Sequence, residues 1–336
     1  MFLKRINCFI VADIGGTKTT IAIINKSREI LFKKIYLSSE IKHFTDTLLQ
    51  FMHLPECKKY PILEASIAVA GIINTERNYA RPTNLEWTVD SNSILVRTPL
   101  KRVVLLNDFE AIGLGIDGLK PESYRELTNL GFNDKGTIAV IGAGTGLGMS
   151  IIPNISGKGI PIPSEGGHID LPILVTDKID VKLQSFLIQK KLYKDSEDVV
   201  SGRGIVNIYK FLLTQKIKHD KKIRLLIAKS TDEEKPAMIT KYALEDRDLL
   251  CIRTLELFIK YYARIAKNLA LMTTCSQMIL AGGIAPKIAS ALEDVFVEEF
   301  VQHKLEIMRK MLERTPIIVI TDFNISLYGA LKALSV

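Results

Sequence analysis

The chain has 336 residues, of which 47% are hydrophobic and 24% are charged, which is ordinary for a globular protein with a sizeable core. This length predicts two domains. The net charge of +8 favours anionic ligands such as nucleotides. The densest basic stretch, residues 216–224, lacks the glycine-aromatic pattern of RNA-binding segments, so no nucleic-acid partner is expected.

No membrane segment or export signal is predicted. The longest uncharged run, residues 136–157, is long enough to cross a bilayer, but five glycines interrupt it before Pro153. The four cysteines are scattered, and no two of them have the spacing of zinc ligands. Scattered cysteines without a secretory signal indicate a reducing compartment. We therefore expect a cytoplasmic protein that contacts no membrane.

The first motif is a glycine-containing turn between two predicted strands, residues 8–12 and 19–24. Glycine lets backbone N–H groups approach a phosphate without an intervening Cβ, while threonine adds a hydroxyl donor and lysine a positive charge. An aspartate there can hold Mg²⁺, directly or through water. The candidate nucleotide-binding residues are Asp13, Gly15, Gly16, Thr17 and Lys18. The alternative is a plain hairpin turn with a solvated lysine.

Residues 38–52 predict a helix and residues 66–70 another strand. A polar loop is predicted at residues 80–87 and contains the single tryptophan, Trp87. This loop can line a sugar pocket, with Asn84 as a hydrogen-bond donor. A surface loop with a packed Trp87 is the alternative.

The segment around Asp108 organises the prediction. Four apolar residues, 103–106, predict a buried strand that ends in Asn107 and Asp108, and a helix can begin at Phe109. Open α/β sheets bind their ligands at the carboxyl ends of their strands. Asp108 is therefore a candidate general base that takes a proton from a sugar hydroxyl. The alternative is that Asp108 only caps the following helix.

A second glycine-rich turn, residues 142–148, lies between predicted strands at 137–141 and 149–152. It repeats the first pattern and indicates a duplicated architecture with one phosphate-binding turn in each half. It ends without the Gly-Lys-Ser/Thr of a Walker A loop, and it is not a Gly-x-Gly-x-x-Gly motif, which disfavours hydride transfer. The candidate phosphate-binding residues here are Gly144, Thr145 and Gly146.

An acidic residue, two glycines and a histidine follow at residues 165–168. Glu165 and His168 can both hydrogen-bond vicinal hydroxyls, and paired polar groups discriminate strongly against analogues that lack those hydroxyls. A metal pair is the alternative, although no second histidine or cysteine lies nearby. Glu197, ahead of a predicted helix at 205–213, is either a further sugar ligand or a surface carboxylate near a helix start.

The rest of the chain continues the alternation of helices and strands. Apolar residues at helical spacing in 246–273 indicate a core helix or a dimer surface. A strand at 278–280 precedes Gly282 and Gly283, against which an adenine or ribose can lie, although a tight strand-to-helix turn explains the same pattern. Helices are predicted at 286–300 and 327–334, with a strand between them at 317–320.

Together these motifs resemble the bacterial-type ATP-dependent glucokinases of the sugar kinase–Hsp70–actin superfamily. The resemblance is carried in order by residues 13–17, 106–109, 142–148, 165–168, 201–204 and 281–284. It implies an α/β fold of the actin-like, ribonuclease H-like type, with a small and a large lobe and the sugar in the cleft between them. The implied small domain is 1–108 plus 322–336, and the large domain is 109–321.

The resemblance also implies roles, cofactors and partners. Asp108 is the general base, and the glycine turns hold the phosphates of ATP with Mg²⁺. Gly282 and Gly283 lie against the adenosine. The implied ligands of the glucose hydroxyls are Asn107, Asp108, Glu165, His168 and Glu197, with Asn84 as a further candidate. A homodimer is usual for the family.

The chain departs from the family pattern at Lys18, where this group often has asparagine and the related repressor–open reading frame–kinase (ROK) family often has lysine. The cysteine-rich zinc motif of that related family is not matched, and no helix-turn-helix precedes Asp13, which speaks against a repressor. Alternatives to a glucokinase are a kinase of another hexose or of an N-acetylated amino sugar, or an actin-like nucleotide switch without a sugar.

Overall fold

The computed structural model describes residues 7–335 and has a mixed α/β architecture. The described chain divides into two compact units. The first comprises residues 7–119, Gly159–Pro163 and 322–335, and the second comprises Lys120–Lys158 and Ser164–Thr321. The domain boundaries predicted from the sequence stay a prediction. Within the described residues, the helices are too short or too polar to cross a bilayer.

The first unit is built on a twisted five-stranded sheet. Its elements before residue 120 are β1 (Cys8–Ile14), β2 (Lys18–Asn25), β3 (Ile30–Leu37), α1 (Phe44–Met52), α2 (Pro55–Lys58), β4 (Glu64–Val69), β5 (Gly71–Ile73), β6 (Tyr79–Pro82), β7 (Val89–Asp90), α3 (Ser91–Arg97), β8 (Arg102–Asn107) and α4 (Asp108–Ile116). The sheet order is β3-β2-β1-β4-β8. β1 and β2 form an antiparallel hairpin, whereas β1, β4 and β8 run parallel.

The second unit contains a larger sheet and most of the helices. The elements along this part of the chain are β9 (Tyr124–Glu126), β10 (Ile138–Ala143), β11 (Leu147–Ile152), β12 (Asn154–Ile155), β13 (Lys158–Gly159), β14 (Ile162–Ser164), α5 (Lys178–Gln189), α6 (Gly202–Thr214), α7 (Lys221–Lys229), α8 (Lys235–Leu244), α9 (Leu249–Thr273), β15 (Gln277–Ala281), α10 (Ala289–Val301), α11 (Glu306–Glu313) and β16 (Ile317–Ile320). Five strands of the sheet lie within this unit and follow the order β11-β10-β15-β16-β9, with β9 at one edge. The last helix, α12 (Ile325–Ala333), belongs to the first unit.

The predicted duplication is confirmed by the topology of the two sheets. Each sheet contains an antiparallel hairpin with a glycine-containing turn, β1-β2 in one sheet and β10-β11 in the other. The first strand of each hairpin then pairs in parallel with a later strand, β4 in one sheet and β15 in the other, and a third parallel strand follows. In both units the glycine turn therefore leaves the carboxyl end of a central strand.

Side chains of the first sheet alternate between two apolar clusters, as the two-residue period of a strand requires. Ile10 and Ala12 face the cluster that also contains Phe44 of α1 and Ile94 of α3. Val11 faces the other cluster, with Ala111 of α4 and Leu327 of α12. Helices thus cover both faces of the sheet, and the strands are buried as parallel sheets require.

Helices α4 and α12 pack with unusually close backbones. A Cβ on Gly329 would overlap the carbonyl oxygen of Ala111, and a Cβ on Gly115 would overlap that of Ile325. Only glycine at these two positions permits this approach. The helix that begins at Asp108 is thereby fixed against the last helix of the chain.

Two predicted elements differ from the structure. The predicted helix 38–52 is interrupted, with a 3₁₀ turn at Ser38–Glu40 and the α-helix beginning only at Phe44. The interruption arises because Ser38 is buried and hydrogen-bonded to the first glycine turn. In the predicted loop 80–87, residues up to Pro82 form part of β6, which pairs with β5 and β7.

Helix α9 lies in the core of the second unit. Its apolar face is buried in one large cluster, which confirms the core interpretation of this helix. Arg264 is buried on the same helix and forms ion pairs with Asp180 of α5 and Glu299 of α10. The charge of a buried guanidinium is tolerated because two carboxylates compensate it.

Candidate functional site

The parallel strands of the first sheet end at one edge. Ile14 pairs with Val69, and Val69 pairs with Asn107, so β1, β4 and β8 end side by side. Because carboxyl ends of parallel strands share a sheet edge, the first glycine turn and Asp108 both lie along this edge.

The first glycine turn is held by Ser38. The turn is closed by Gly15 N–H, which donates to the Lys18 carbonyl oxygen at 3.0 Å. Ser38 donates its hydroxyl to the Gly15 oxygen at 2.7 Å and its backbone N–H to the Thr17 oxygen at 3.0 Å. Thr17 and Lys18 are exposed, whereas Gly16 is half-buried. No sequence pattern pointed to Ser38, which lies far along the chain from the turn.

Asp13 precedes this turn and is half-buried at the end of β1. The hydroxyl of Ser326, on α12, donates to Asp13 Oδ2 at 2.5 Å. Burial raises the pKa of the Asp13 carboxyl, and the Ser326 hydrogen bond partly opposes that rise. Ser326 was not identified from the sequence because it lies close to the opposite end of the chain.

Asn107, not Asp108, caps helix α4. The Asn107 Oδ1 accepts hydrogen bonds from the backbone N–H groups of Phe109 and Glu110, and the Glu110 carboxylate accepts from the Asn107 N–H. This reciprocal arrangement is a capping box. The alternative prediction that Asp108 serves as the cap is therefore wrong. Asp108 is the first residue of α4 and is half-buried.

The amide of Asn107 also donates to the Gly71 oxygen at 3.3 Å, which links β8 to the segment after β4. The Thr83 N–H donates to the Ala70 oxygen at 3.0 Å and brings the exposed Asn84 to the same region. Asn84 lines an open cavity of about 980 Å³, whose lining does not include Asp108.

Trp87 is a packed core residue. Its indole N–H donates to the Ser38 carbonyl oxygen at 3.1 Å, and its ring stacks on Phe44 with centroids 6.1 Å apart. The packed interpretation of Trp87 is therefore confirmed. The tryptophan supports Ser38 and, through Ser38, the first glycine turn.

Two glycine turns converge in the second unit. β10 and β15 are parallel neighbours, with Gly142 opposite Ala281, so the turns that follow them share an edge. Gly282 has a φ of +79°, and a Cβ there would lie 2.5 Å from the Ala143 oxygen. The Ile284 N–H donates to the same oxygen at 3.1 Å. Gly282 is thus required by close packing and by its left-handed conformation.

The start of α6 is hydrogen-bonded to the turn that follows β10. The Gly144 N–H donates to the Gly146 oxygen, and the Gly202 N–H donates to the Gly144 oxygen, both at 2.8 Å. Thr145 is exposed at the tip of the turn. A helix N-terminus beside a glycine turn presents N–H groups and a positive dipole end, which suit a phosphate.

Glu197 connects this turn to Arg203 and Asp198, two charged residues near the start of α6. It is buried, and its Oε2 accepts the Leu147 N–H at 3.0 Å. A Cβ on Gly146 would clash with the same carboxylate. Arg203 donates to Glu197 at 3.1 Å and to Asp198 at 2.9 Å, so the Glu197 charge is compensated.

His168 lies among carboxylates. Its Nδ1 is 2.8 Å from Asp195 Oδ2, and its Nε2 is 3.8 Å from Glu165 Oε2. The hydrogen bond to Asp195 raises the pKa of His168, with further contributions from the charges of Glu197 and Glu165 and some opposition from burial. The structure thus brings the predicted residues Glu165, His168 and Glu197 into one cluster.

Asp195, Asp198 and Arg203 belong to this cluster and were not identified from the sequence. The available signal was the acidic run at 195–198, of which only Glu197 was singled out. Residues 7–335 contain no group of three or more His, Cys, Asp or Glu side chains that could hold a metal ion.

Comparison with known proteins identifies the family. A family model described as Glucokinase matches residues 10–335. The chain is 34% identical to a glucokinase of Nostoc punctiforme and 32% identical to one of Synechocystis, each over 96% of this chain and over 97% and 96% of the relative, respectively.

Solved structures agree with this result. A glucokinase from an Antarctic psychrotroph superposes with a TM-score of 0.76 and 26% identity, covering 98% of this chain and 99% of the other. A glucokinase from Balamuthia mandrillaris in complex with glucose has a TM-score of 0.81 and 22% identity, with coverages of 98% and 94%. The predicted α/β sugar kinase fold is confirmed by these similarities. The chain belongs to the glucokinase family of ATP-dependent hexose kinases.

Proposed function

We propose that this chain transfers the γ-phosphoryl group of ATP to the 6-hydroxyl of glucose and releases glucose 6-phosphate and ADP. The observation that carries the proposal is the position of Asp108 at the carboxyl end of β8, on the sheet edge that also bears the first glycine turn. Asn107 supplies the helix cap, so capping does not account for Asp108.

Asp108 is the proposed general base. As the hydroxyl oxygen of the sugar forms a bond to the γ-phosphorus, the bond from that phosphorus to the β,γ-bridging oxygen breaks, and the hydroxyl proton moves to Asp108. Asp108 lies in the first turn of α4. Its side chain is half-buried.

The proposed ligands of the sugar hydroxyls are Glu165, His168 and Glu197, together with Asn84 and Asn107. The first three are supported by their clustering within the second unit. Asn107 has one amide hydrogen bond to Gly71, and this bond fixes the orientation of its side chain. Asn84 is exposed at a cavity wall, as a ligand-binding amide requires.

The proposed phosphate-binding groups are the two glycine turns, which comprise Gly15, Gly16, Thr17 and Lys18 and Gly144, Thr145 and Gly146. Gly282 and Gly283 are proposed to lie against the adenosine. Apart from Gly283 itself and its two chain neighbours, no described residue has an atom within 4 Å of the position that a Cβ on Gly283 would take. Packing of the described chain therefore gives no reason for a glycine at Gly283, whereas a flat ligand against the backbone does.

We infer that Mg²⁺ accompanies ATP and is held with the help of Asp13. The chemistry of this site fits: Mg²⁺ in nucleotide sites uses one or two carboxylates together with phosphate oxygens and water. Asp13 is a half-buried carboxylate beside the phosphate-binding turn, oriented by Ser326. When bound, Mg²⁺ neutralises charge on the phosphates.

We infer further that the protein is cytoplasmic, acts in glycolysis and forms a homodimer. The four cysteines are unpaired and buried, which is typical of a reducing compartment. Glucose 6-phosphate is a substrate for glycolysis, and the homodimer rests on the resemblance to other glucokinases.

The proposal is tested by coupled ADP release with glucose, mannose, fructose, N-acetylglucosamine and N-acetylmannosamine as acceptors. We expect the highest kcat/KM with glucose and no ADP release without sugar. A higher kcat/KM with an N-acetylated amino sugar would replace glucose as the substrate. ATP hydrolysis that is independent of sugar would indicate a nucleotide switch instead of a kinase.

A further inference from the structure

One carboxylate, that of Asp195, contacts both segments of the proposed sugar site. Its Oδ2 lies 2.8 Å from Nδ1 of His168, and its Oδ1 accepts the backbone N–H of Glu197 at 3.0 Å. The side chain is 16% exposed, so these two contacts define its orientation. The Ser196 N–H donates to the Ile169 oxygen at 2.9 Å and holds the two segments together.

We propose that Asp195 is a positioning residue for the hexose, which fixes the ring of His168 and the backbone of Glu197 in one arrangement. This inference rests on the proposed function, because it takes His168 and Glu197 as sugar ligands. Asp195 itself has no proposed contact with the sugar.

The carboxylate sets the tautomer of the imidazole. An ionised carboxylate only accepts hydrogen bonds, so the Nδ1 that faces Asp195 carries a hydrogen. The other nitrogen, Nε2, is then directed towards Glu165, 3.8 Å away. A hydroxyl oxygen between these two groups can lie within hydrogen-bond distance of both.

The protonation of His168 changes the direction of this hydrogen bond but not the ring orientation. A charged imidazole donates Nε2–H to the hydroxyl, which in turn donates to Glu165, whereas a neutral ring accepts at Nε2. Asp195, Glu165 and Glu197 are the charged groups that act on the ring, and all three raise the pKa of His168. Loss of Asp195 therefore changes both the orientation and the ionisation of His168.

Asp195 also caps the 3₁₀ turn Ser196–Asp198, so a purely structural role must be separated from a positioning role. Asparagine and serine are as good as aspartate at such caps. Asp195→Asn keeps an oxygen for the Glu197 N–H but removes the charge beside His168. Asp195→Ser keeps a capping oxygen on a side chain too short to reach the imidazole.

The first experiment compares steady-state constants. We expect Asp195→Asn and Asp195→Ser to raise KM for glucose about 10–100-fold, the usual effect of losing a charge-assisted hydrogen bond, with kcat and KM for ATP changed less than about 2-fold. The matched control is Asp177→Asn, because Asp177 caps α5 by accepting the Ile179 N–H at 2.8 Å. Asp177→Asn should leave KM for glucose unchanged.

The second experiment places Asp195→Asn in a His168→Ala background. If Asp195 acts through the imidazole, its replacement there should change KM for glucose less than about 3-fold, since coupled residues are not additive. An undiminished effect in that background would overturn the positioning role through His168.

The third experiment measures the His168 pKa by NMR titration of the imidazole nitrogens. Asp195→Asn should lower that pKa and weaken the Nδ1–H tautomer signature, which a purely capping residue would not do. If His168→Ala raises KM for glucose but the Asp195 variants do not, the inference is wrong and the sugar site stands. If His168→Ala leaves KM for glucose unchanged, the proposed sugar site itself fails, and the inference fails with it.

Discussion

Ser326 of the last helix donates its hydroxyl to Asp13 of the first strand at 2.5 Å, although the two residues lie near opposite ends of the chain. The bond is possible because α12 packs against the sheet in the first unit, beside α4. Asp13 is the carboxylate proposed to bind Mg²⁺, and the hydrogen bond from Ser326 favours its ionised form. The last helix is therefore part of the candidate nucleotide site as well as of the core.

Ser326→Ala should impair the use of MgATP. The remaining influence on Asp13 is burial, so the pKa of its carboxyl should rise further in the variant, and protonated Asp13 cannot bind Mg²⁺ well. We expect kcat/KM for ATP to fall. When kcat/KM for ATP is measured against pH, its decline on the acid side should begin at a higher pH than in the parent. Ser185→Ala is the control, since Ser185 is exposed and donates its hydroxyl to the Val181 oxygen of its own helix, α5. If the acid side of the profile does not shift, Ser326 does not control the ionisation of Asp13 in the active protein.

Asp108→Asn should lose about 10²–10⁴-fold in kcat while glucose still binds, because the variant keeps the shape of the side chain but cannot accept the proton. Turnover is measured by coupled ADP release and glucose binding by calorimetry. Asp117→Asn makes the same change at the other end of α4, where Asp117 pairs with Lys332, and should keep kcat. Full turnover by Asp108→Asn would show that Asp108 is not the general base.

Gly283→Val should raise KM for ATP without destabilising the fold. The position of a Cβ at Gly283 is open in the described chain, so the added side chain begins in open space on the side proposed for the adenosine. We expect at least a 10-fold weaker ATP affinity, about 1.4 kcal/mol, with an unchanged urea midpoint. Unchanged ATP affinity would place the adenosine elsewhere.

Gly329→Ala should instead destabilise the protein. The added methyl group overlaps the Ala111 carbonyl oxygen, so α12 must move away from α4, and overpacking of this kind costs about 1–3 kcal/mol. The measurement is the free energy of unfolding in urea. Gly283→Ala is the matched control, because the same methyl group is added at an open position. Equal stability of the two variants would contradict the close packing of α4 and α12.

The ion pair of His168 with Asp195 should make stability depend on pH. The folded state raises the pKa of His168 above its ordinary value of 6.5, so protonated His168 stabilises the fold. This contribution is fully present below about pH 6.5 and is lost as the pH rises through the folded-state pKa. The difference in unfolding free energy between the parent and Asp195→Asn should therefore shrink from pH 6 to pH 8. A difference that grows with pH would mean that folding lowers the pKa of His168 instead of raising it.

The sequence alone was sufficient for most of the fold, because its signals are local. Short runs of consecutive apolar residues located the central strands, and glycines marked the turns after β1, β10 and β15. Apolar residues at helical spacing located α9. The break before α1 was not predicted, since it depends on Ser38 binding a turn that precedes it in the chain.

The candidate site was predicted only in part. Residues in short motifs, such as Asp13, Glu165 and His168, were identified because their neighbours have a recognisable pattern. Supporting residues such as Ser326 and Asp195 have no such pattern. Their importance depends on which side chain lies opposite them.

By itself the sequence determined the strand-turn-strand units, the family resemblance and the residue types available for phosphoryl transfer, because these follow from composition and short-range spacing. Only the tertiary structure decided that Asn107 rather than Asp108 caps α4, that Trp87 supports Ser38, and that Asp195 joins His168 to Glu197. Hydrogen bonds between distant segments depend on distance and direction in space, and a one-dimensional pattern does not encode either.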